Sequence, residues 1–111
     1  MSLSTHVLDT DSGQPVSGLR VQVQRVGYDE VTEVTEVTEV ASAVTDDDGR
    51  VRELLGAEWG PGRWRVVFDV AGVRADAFFP VITVEVQVPD TSHYHAAVLL
   101  GRYAYTTYRG S

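Results

Sequence analysis

Apolar and polar residues alternate along most of this chain with a period of two. In LRVQVQRV, Leu19, Val21 and Val23 alternate with arginine and glutamine, and the same alternation runs through RWRVVFDV, VITVEVQV, HYHAAVLL and YAYTTY. Successive side chains of a strand leave opposite faces, so the pattern predicts strands that each bury one face. The turn-forming segments DSGQP, DDDG and GPG, and a turn at Gly101, separate them. Many short strands at this spacing favour a sandwich of two antiparallel sheets.

Two segments depart from this alternation. Within DVAGVRADAFF, residues 71–77 are the one place where the sequence allows a short helix. Residues 31–40, VTEVTEVTEV, repeat every three positions, which matches neither the strand period of two nor the helical period of about 3.6. One interpretation of the repeat is an acidic ribbon that binds a partner or calcium. We favour the other, an extended and largely solvated hairpin connection.

The composition excludes several classes of protein. The 111 residues are 43% apolar, which suits one modest core, so we predict a single domain over residues 1–111. There is no cysteine and all nine basic residues are arginine, which excludes disulfides, thiolate chemistry and lysine Schiff bases. A formal net charge of −7 without a dense basic face argues against nucleic-acid binding. We see neither a transmembrane run nor a signal-peptide pattern, so we expect no membrane association and a cytoplasmic protein.

Three histidines carry the most obvious chemistry. His93 and His95 are two positions apart on a predicted strand, so their side chains leave the same face, and His6 lies in the predicted first strand. A lone strand histidine is more often structural than catalytic, although His-x-His with a third histidine also fits a zinc site. Arg50, taken alone, is typical of a solvated residue beside the DDDG turn. The residues themselves therefore predict an acidic β-sandwich with a histidine site of undecided chemistry.

Three longer stretches of the chain form a recognisable set. In order they are LSTHVLDTDSGQPVSGLRV, TDDDGR and HYHAAVLLGRYAYTTYRGS. Together they resemble the 5-hydroxyisourate hydrolases, the transthyretin-related enzymes of urate breakdown. The terminal Tyr-Arg-Gly-Ser is the specific part, because transthyretin proper, a hormone carrier of the same fold, lacks it. The resemblance implies an all-β, transthyretin-like sandwich of two four-stranded sheets with one short helix. It also implies a homotetramer with sites where two dimers meet, into which the terminal tetrapeptide folds.

The resemblance also implies an activity and a set of site residues. The reaction is the hydrolytic opening of 5-hydroxyisourate to 2-oxo-4-hydroxy-4-carboxy-5-ureidoimidazoline, with no metal or other cofactor. A neutral histidine can take a proton from water near neutral pH, and an arginine offers a planar fork to urea-type oxygens. The implied catalytic residues are His6, Arg50 and His95, with His93 a weaker candidate. The implied substrate-binding residues are His6, Arg50, Tyr108, Arg109 and Ser111, while Gly110 completes the terminal motif.

Some positions differ from the family pattern, and two other functions stay open. Ala96, Ala97, Gly101 and Arg102 stand where family members usually carry a proline, large aliphatic residues and a Ser-Pro turn. These positions lie near the expected subunit contacts. The first alternative function is a non-catalytic carrier of a small ligand on the transthyretin fold. The second is a zinc-dependent hydrolase that uses the histidines as ligands.

Overall fold

The computed structural model describes residues 2–110 and consists of eight strands in two sheets. One sheet has the strand order β4-β1-β7-β8 and the other has the order β3-β2-β5-β6. The predicted sandwich of about eight strands is therefore confirmed. The strands are β1 (Leu3–Asp9), β2 (Arg20–Asp29), β3 (Val34–Val44), β4 (Arg50–Leu55), β5 (Gly62–Asp69), β6 (Val81–Val88), β7 (Tyr94–Leu100) and β8 (Tyr105–Gly110).

The pairing of β1 with β7 differs from the rest of the sandwich. These two strands run parallel, whereas the other paired strands are antiparallel. Antiparallel neighbours can be joined by tight turns, but parallel strands need a long connection between them. Here that connection contains five strands, β2 to β6. The first and seventh strands therefore meet only when the whole sandwich assembles.

The core lies between the sheets and follows the alternation of the sequence. Trp64, Val66 and Phe68 of β5 are at most 1% exposed, as are Val21 and Val23 of the neighbouring β2. Their polar neighbours along the same strands face outward. Burying each such side chain contributes roughly 1.5–3 kcal/mol relative to leaving it in water. The inner faces thus hold the sheets together and leave the outer faces available for a site.

The short helix expected over residues 71–77 is not present, because this segment is a series of turns. One hydrogen bond of the helical type occurs there, from the Arg74 backbone N–H to the Val70 carbonyl at 2.9 Å. Starting a helix fixes several residues for a single hydrogen bond, and so short a segment does not offset that cost. The Arg74 guanidinium instead pairs with the Asp9 carboxylate. Within residues 2–110, no helix is long and apolar enough to cross a membrane.

The three-residue repeat forms one side of an exposed hairpin. Residues 31–33 lie in the turn, and 34–40 belong to β3, which pairs with β2. Val34 and Val37 are three positions apart, so their side chains leave opposite faces, and they are 51% and 40% exposed. The pairing shifts by one residue at Val40, after which the alternation matches the core again. The segment is extended and largely solvated, as expected, but it is a paired strand rather than a loop.

Candidate active site

One face of the first sheet carries the three residues predicted to be catalytic. His6 on β1 pairs with Arg50 on β4, and Ser4 on β1 pairs with His95 on β7. Paired residues share a face of the sheet, and so do Ser4 and His6, which are two positions apart. The ring centroids of His6 and His95 lie 6.4 Å apart. The register of three neighbouring strands thus brings His6, Arg50 and His95 together.

The same face extends to Tyr108 on β8. In the strand register, Ala97 lies between His6 on one side and Tyr108 on the other. Ala97 is only 3% exposed, yet it is not part of the core cluster between the sheets, so neighbours on the outer face cover it. Tyr108, predicted to bind substrate, is about half exposed. The structure therefore places Tyr108 on the histidine face, with a single methyl side chain between it and His6.

Gly110 provides the space that the His95 ring occupies. The two residues pair across β7 and β8. A β-carbon built on Gly110 would overlap Cδ2 of His95 and would lie 3.3 Å from Cγ of that ring. Any side chain at this position would push the imidazole aside. Sequence reasoning gives Gly110 no role of its own, because its contact partner lies on another strand.

The rest of the terminal motif is divided between the two faces of the sheet. Residues 108–110 belong to β8 and pair with β7. The side chain of Arg109 leaves the face opposite to that of Tyr108, and its guanidinium carbon lies 4.4 Å from the ring centroid of Tyr94. Ser111, also predicted to bind substrate, lies outside the described residues. Strand alternation therefore sends Tyr108 and Arg109 to opposite faces of β8, and both line the same cleft as His95.

The acidic turn between β3 and β4 orients His6. A carboxylate oxygen of Asp46 accepts hydrogen bonds from the backbone N–H groups of Asp48 and Arg50, both at 2.9 Å. The bond from Arg50 is the main reason that the pKa of Asp46 lies below its ordinary value. The carbonyl oxygen of Asp48 lies 3.0 Å from Nε2 of His6. Because a carbonyl only accepts hydrogen bonds, Nε2 carries a proton, and in the neutral ring Nδ1 is the basic nitrogen.

Ser4 holds the ring of His95 through Nδ1, whereas His6 is held through Nε2. The Ser4 hydroxyl lies 2.7 Å from Nδ1 of His95, so this contact does not use Nε2. Partial burial lowers the pKa of His95, and the Arg50 guanidinium and the rings of His6 and His93 lower it further. His95 is therefore neutral at pH 7 and able to accept a proton. Sequence reasoning does not identify Ser4, whose only signal is its place two residues before His6.

Arg50 offers a positive charge beside these rings. Within residues 2–110, no ion pair involves its guanidinium. It lines a cleft of about 210 Å³, together with His95 and Ser4. A larger cleft of about 400 Å³, lined mainly by apolar residues, touches His95 together with Tyr108 and Arg109. We assign the candidate site to the smaller cleft, because it is lined by both Arg50 and His95, two of the three residues predicted to be catalytic.

The histidines are not arranged as metal ligands in the part of the chain that the structure describes. Over residues 2–110, no group of three His, Asp or Glu side chains could hold a metal ion. The rings of His93 and His95 instead both contact the hydroxyl of Ser4, at 3.0 and 2.7 Å. This geometry suits proton transfer through hydrogen bonds and does not favour the zinc alternative.

Similar proteins of known sequence carry one recurring name. The 5-hydroxyisourate hydrolase of Deinococcus radiodurans is 43% identical over 120 residues, which cover 98% of this chain and 95% of that protein. The 5-hydroxyisourate hydrolase of Salmonella typhimurium is 36% identical over 115 residues, which cover 98% of this chain and 80% of that protein. Similarity at these levels extends along nearly the whole chain, so it includes the strands that carry the candidate site.

Solved structures give the same fold. The Klebsiella pneumoniae 5-hydroxyisourate hydrolase superposes with a TM-score of 0.82 at 27% identity, covering 100% of both chains. Sea bream transthyretin in complex with thyroxine superposes with a TM-score of 0.86 at 25% identity, covering 99% of this chain and 95% of that one. The family model described as HIUase/Transthyretin matches residues 3–110. The chain therefore belongs to the HIUase/transthyretin family.

Proposed function

We propose that this protein is a hydrolase of 5-hydroxyisourate in urate breakdown, and that His6, Arg50 and His95 perform the reaction. The observation that carries the proposal is the cluster on the outer sheet face, where the rings of His6 and His95 lie 6.4 Å apart on neighbouring strands and Arg50 pairs with His6. The names of the relatives from Deinococcus radiodurans and Salmonella typhimurium support the choice of substrate.

The reaction needs groups of the kinds found in this cluster. Its product, 2-oxo-4-hydroxy-4-carboxy-5-ureidoimidazoline, contains a new carboxyl and a ureido group, so the bond that breaks joins a carbonyl carbon to a ring nitrogen. A neutral histidine takes one proton from water as the water oxygen bonds to that carbon. The carbonyl oxygen becomes negatively charged, and the Arg50 guanidinium stabilises it. When the C–N bond breaks, the nitrogen takes a proton from the protonated histidine, and the ring opens.

The remaining predicted residues divide by their position. Tyr108 leaves the same face as His6 and is proposed to contact the substrate. Ser111 follows Gly110 along the chain and is proposed to do the same. Arg109 stacks on Tyr94 and lines the larger cleft with His95, and its role in substrate binding stays a prediction. The binding contacts of the proposed site thus come from β1, β4 and β8 around a base on β7.

We also propose that the protein assembles as a homotetramer with the sites between dimers. Strands β6 and β8 are each an edge strand of their sheet. The apolar cleft of about 400 Å³ touches both of these strands. Unpaired edges invite pairing with another chain, and a second copy along these edges would extend both sheets and cover the cleft. A second dimer stacked on the histidine face would then enclose the smaller cleft.

An ultraviolet decay assay of freshly made 5-hydroxyisourate tests the activity. Micromolar protein should accelerate the decay, and the acceleration should survive chelation and dialysis. His95→Asn should lower kcat by about 10² or more, because general acid–base catalysis contributes roughly 10²–10⁴. Ser42→Ala, an exposed position on β3, is the control and should keep the full rate. If the folded protein gives no acceleration but binds small aromatic ligands, the carrier function replaces the proposal. Loss on chelation with recovery on added zinc would support the zinc hydrolase.

A further inference from the structure

We infer that Ser4 and His93 are positioning residues that form a hydrogen-bonded relay with His95, and that this relay makes His95 rather than His6 the base. This inference rests on the proposed function and deepens it, because it divides the roles of two histidines that the sequence leaves equivalent. Neither Ser4 nor His93 needs to touch the substrate. Both act through the Nδ1 atom of His95.

The relay is a continuous chain of side-chain contacts. Nδ1 of His95 lies 2.7 Å from the Ser4 hydroxyl oxygen, and that oxygen lies 3.0 Å from Nε2 of His93. Nδ1 of His93 is within hydrogen-bond distance of the Ser2 hydroxyl. His95 is partly buried, whereas His93 is exposed. The chain therefore runs from the proposed site to the protein surface through groups that can each both donate and accept a proton.

The chemistry of the serine hydroxyl limits the relay to two arrangements. A hydroxyl can donate one hydrogen bond and accept two, and a proton can pass through Ser4 only when Ser4 donates to one imidazole and accepts from the other. In the first arrangement, Nδ1–H of His95 donates to Ser4, Ser4 donates to Nε2 of His93, and Nε2 of His95 is a free base. In the second arrangement, Nε2–H of His93 donates to Ser4 and Ser4 donates to Nδ1 of His95. The ring proton of His95 is then on Nε2. The first arrangement is ready to accept a proton from water.

Proton transfer along the relay conserves every atom and charge. Nε2 of His95 gains a proton from the attacking water while Nδ1 releases its own to Ser4 Oγ. Ser4 releases its hydroxyl proton to Nε2 of His93, so Ser4 and His95 end neutral. His93, with a proton already on Nδ1, ends as the cation. The return transfer delivers the proton from Nε2 of His95 to the leaving nitrogen and restores the first arrangement.

The electrostatics of the site favour moving a positive charge from His95 to His93. The pKa of His95 is lowered because partial burial and the nearby Arg50 guanidinium disfavour an imidazolium there. A base that must remain charged between two steps would therefore be a poor one at this position. Passing the positive charge to exposed His93 moves it into water, where its hydration is restored. The charged and titratable groups facing His95 are Arg50 and Arg52 from β4, His6 from β1, His93, and Tyr108 from β8.

Among residues 2–110, the hydrogen bond of the His6 ring gives it no comparable route. Its Nε2–H donates to the Asp48 carbonyl at 3.0 Å, and a carbonyl oxygen cannot pass a proton onward. A proton taken by Nδ1 of His6 would leave a cation on that ring, beside the Arg50 strand. His6 is thus suited to orient the water or the substrate through Nδ1. The two histidines differ in the partner behind the ring, and this difference assigns the base role to His95.

Steady-state kinetics from pH 5 to 9 test the relay. The variants are Ser4→Ala, Ser4→Thr and His93→Gln, with Ser42→Ala as the control. We expect Ser4→Ala to lower kcat by about 10- to 100-fold, within the range that general acid–base catalysis supplies, and to leave KM within about twofold. Ser4→Thr keeps the hydroxyl and should restore most of the rate. His93→Gln keeps a hydrogen bond but cannot hold the proton, so it should also lower kcat and change the acidic limb of the profile. Wild-type kcat in Ser4→Ala or in His93→Gln would overturn the relay.

Nitrogen NMR of the histidine rings separates failure of the relay from failure of the proposed function. In the wild-type protein without substrate, we expect the ring protons of neutral His93 and His95 to lie on Nδ1. Ser4→Ala should redistribute the His95 ring proton between Nδ1 and Nε2 while the backbone spectrum stays folded. A His95 ring protonated on Nε2 in the wild-type protein, or one unchanged by Ser4→Ala, would overturn the relay even if the enzyme is active. A His95 ring that is protonated on Nδ1 and responds to Ser4→Ala, in a protein that does not hydrolyse 5-hydroxyisourate, would keep the relay and reject the substrate.

Discussion

The contact between Gly110 and the ring of His95 leads to a sharp prediction for Gly110→Ala. The added methyl would overlap Cδ2 of His95 and would lie 3.3 and 3.5 Å from Cγ and Nε2. Because the methyl is attached to the backbone of β8, which is paired with β7, the imidazole must move. A displacement of about 1 Å at a reacting group can cost about 10²-fold in rate. We therefore expect kcat to fall about 100-fold.

The same substitution should leave the fold nearly unchanged. Replacing glycine by alanine removes backbone freedom from the unfolded chain and stabilises by about 0.4–1 kcal/mol where the backbone conformation is compatible. The ring displacement of His95 offsets part of that gain. Urea unfolding should therefore show a change below about 1 kcal/mol, while initial rates of 5-hydroxyisourate decay drop.

A glycine with open space is the matched control. At Gly27 on β2, the nearest heavy atom to an added β-carbon is a backbone oxygen 4.0 Å away. Gly27→Ala should keep the rate and lose no stability. The argument would be refuted if Gly110→Ala were folded and fully active, because the position of the His95 ring would then not matter. A similar loss of rate in Gly27→Ala would also refute it, by showing that the effect is not local.

Three further predictions concern charge, pH and the repeat. Arg50→Lys should lower kcat by at least about tenfold, because an ammonium keeps the charge but not the planar fork, and initial rates measure it. Since the folded-state pKa of His95 is lowered, the unfolded chain binds more protons between that value and about 6.5, so stability falls as pH drops through this window. Urea unfolding at pH 7 and pH 5 should show a smaller loss in His95→Asn than in the wild type, and an equal loss would contradict the assigned cause. Deleting residues 31–36 keeps Val26 opposite Val37 with a four-residue connection, so urea unfolding should change by less than about 1 kcal/mol and the rate should not change. A larger loss of stability or of rate would indicate that the hairpin takes part in an interface.

Local pattern in the sequence is sufficient for the strands and the identity of the core. Alternation in RWRVVFDV predicts that Trp64, Val66 and Phe68 share a face, and all three are fully buried. This works because the period of a strand is a property of its own backbone and needs no partner. The same local reasoning fails at residues 71–77, where a helical turn begins but too few residues follow to stabilise it.

The sequence motifs also identify the chemical groups of the site, but they do not show where those groups lie in the fold. His6, Arg50 and His95 are recognisable from the stretches STHVLD, DDDGR and HYH. Only pairing across strands shows that they meet, since Ser4 and His95 are 91 residues apart and their strands run parallel. Parallel register is set by packing of the whole sandwich rather than by a turn between neighbours. The relay through Ser4 therefore has no local signature.

The terminal motif shows most directly what tertiary structure decides. In the sequence, one motif contains Tyr108, Arg109 and Gly110, and the sequence predicts that these residues act together. In the sheet, alternation sends Tyr108 to the histidine face and Arg109 to the ring of Tyr94, while Gly110 lies against His95. The sequence by itself determined which residues are available and which strands carry them. The face, the neighbour and the free nitrogen of each residue were decided by the register of β1, β4, β7 and β8, because a side chain's surroundings come from strands that are distant along the chain.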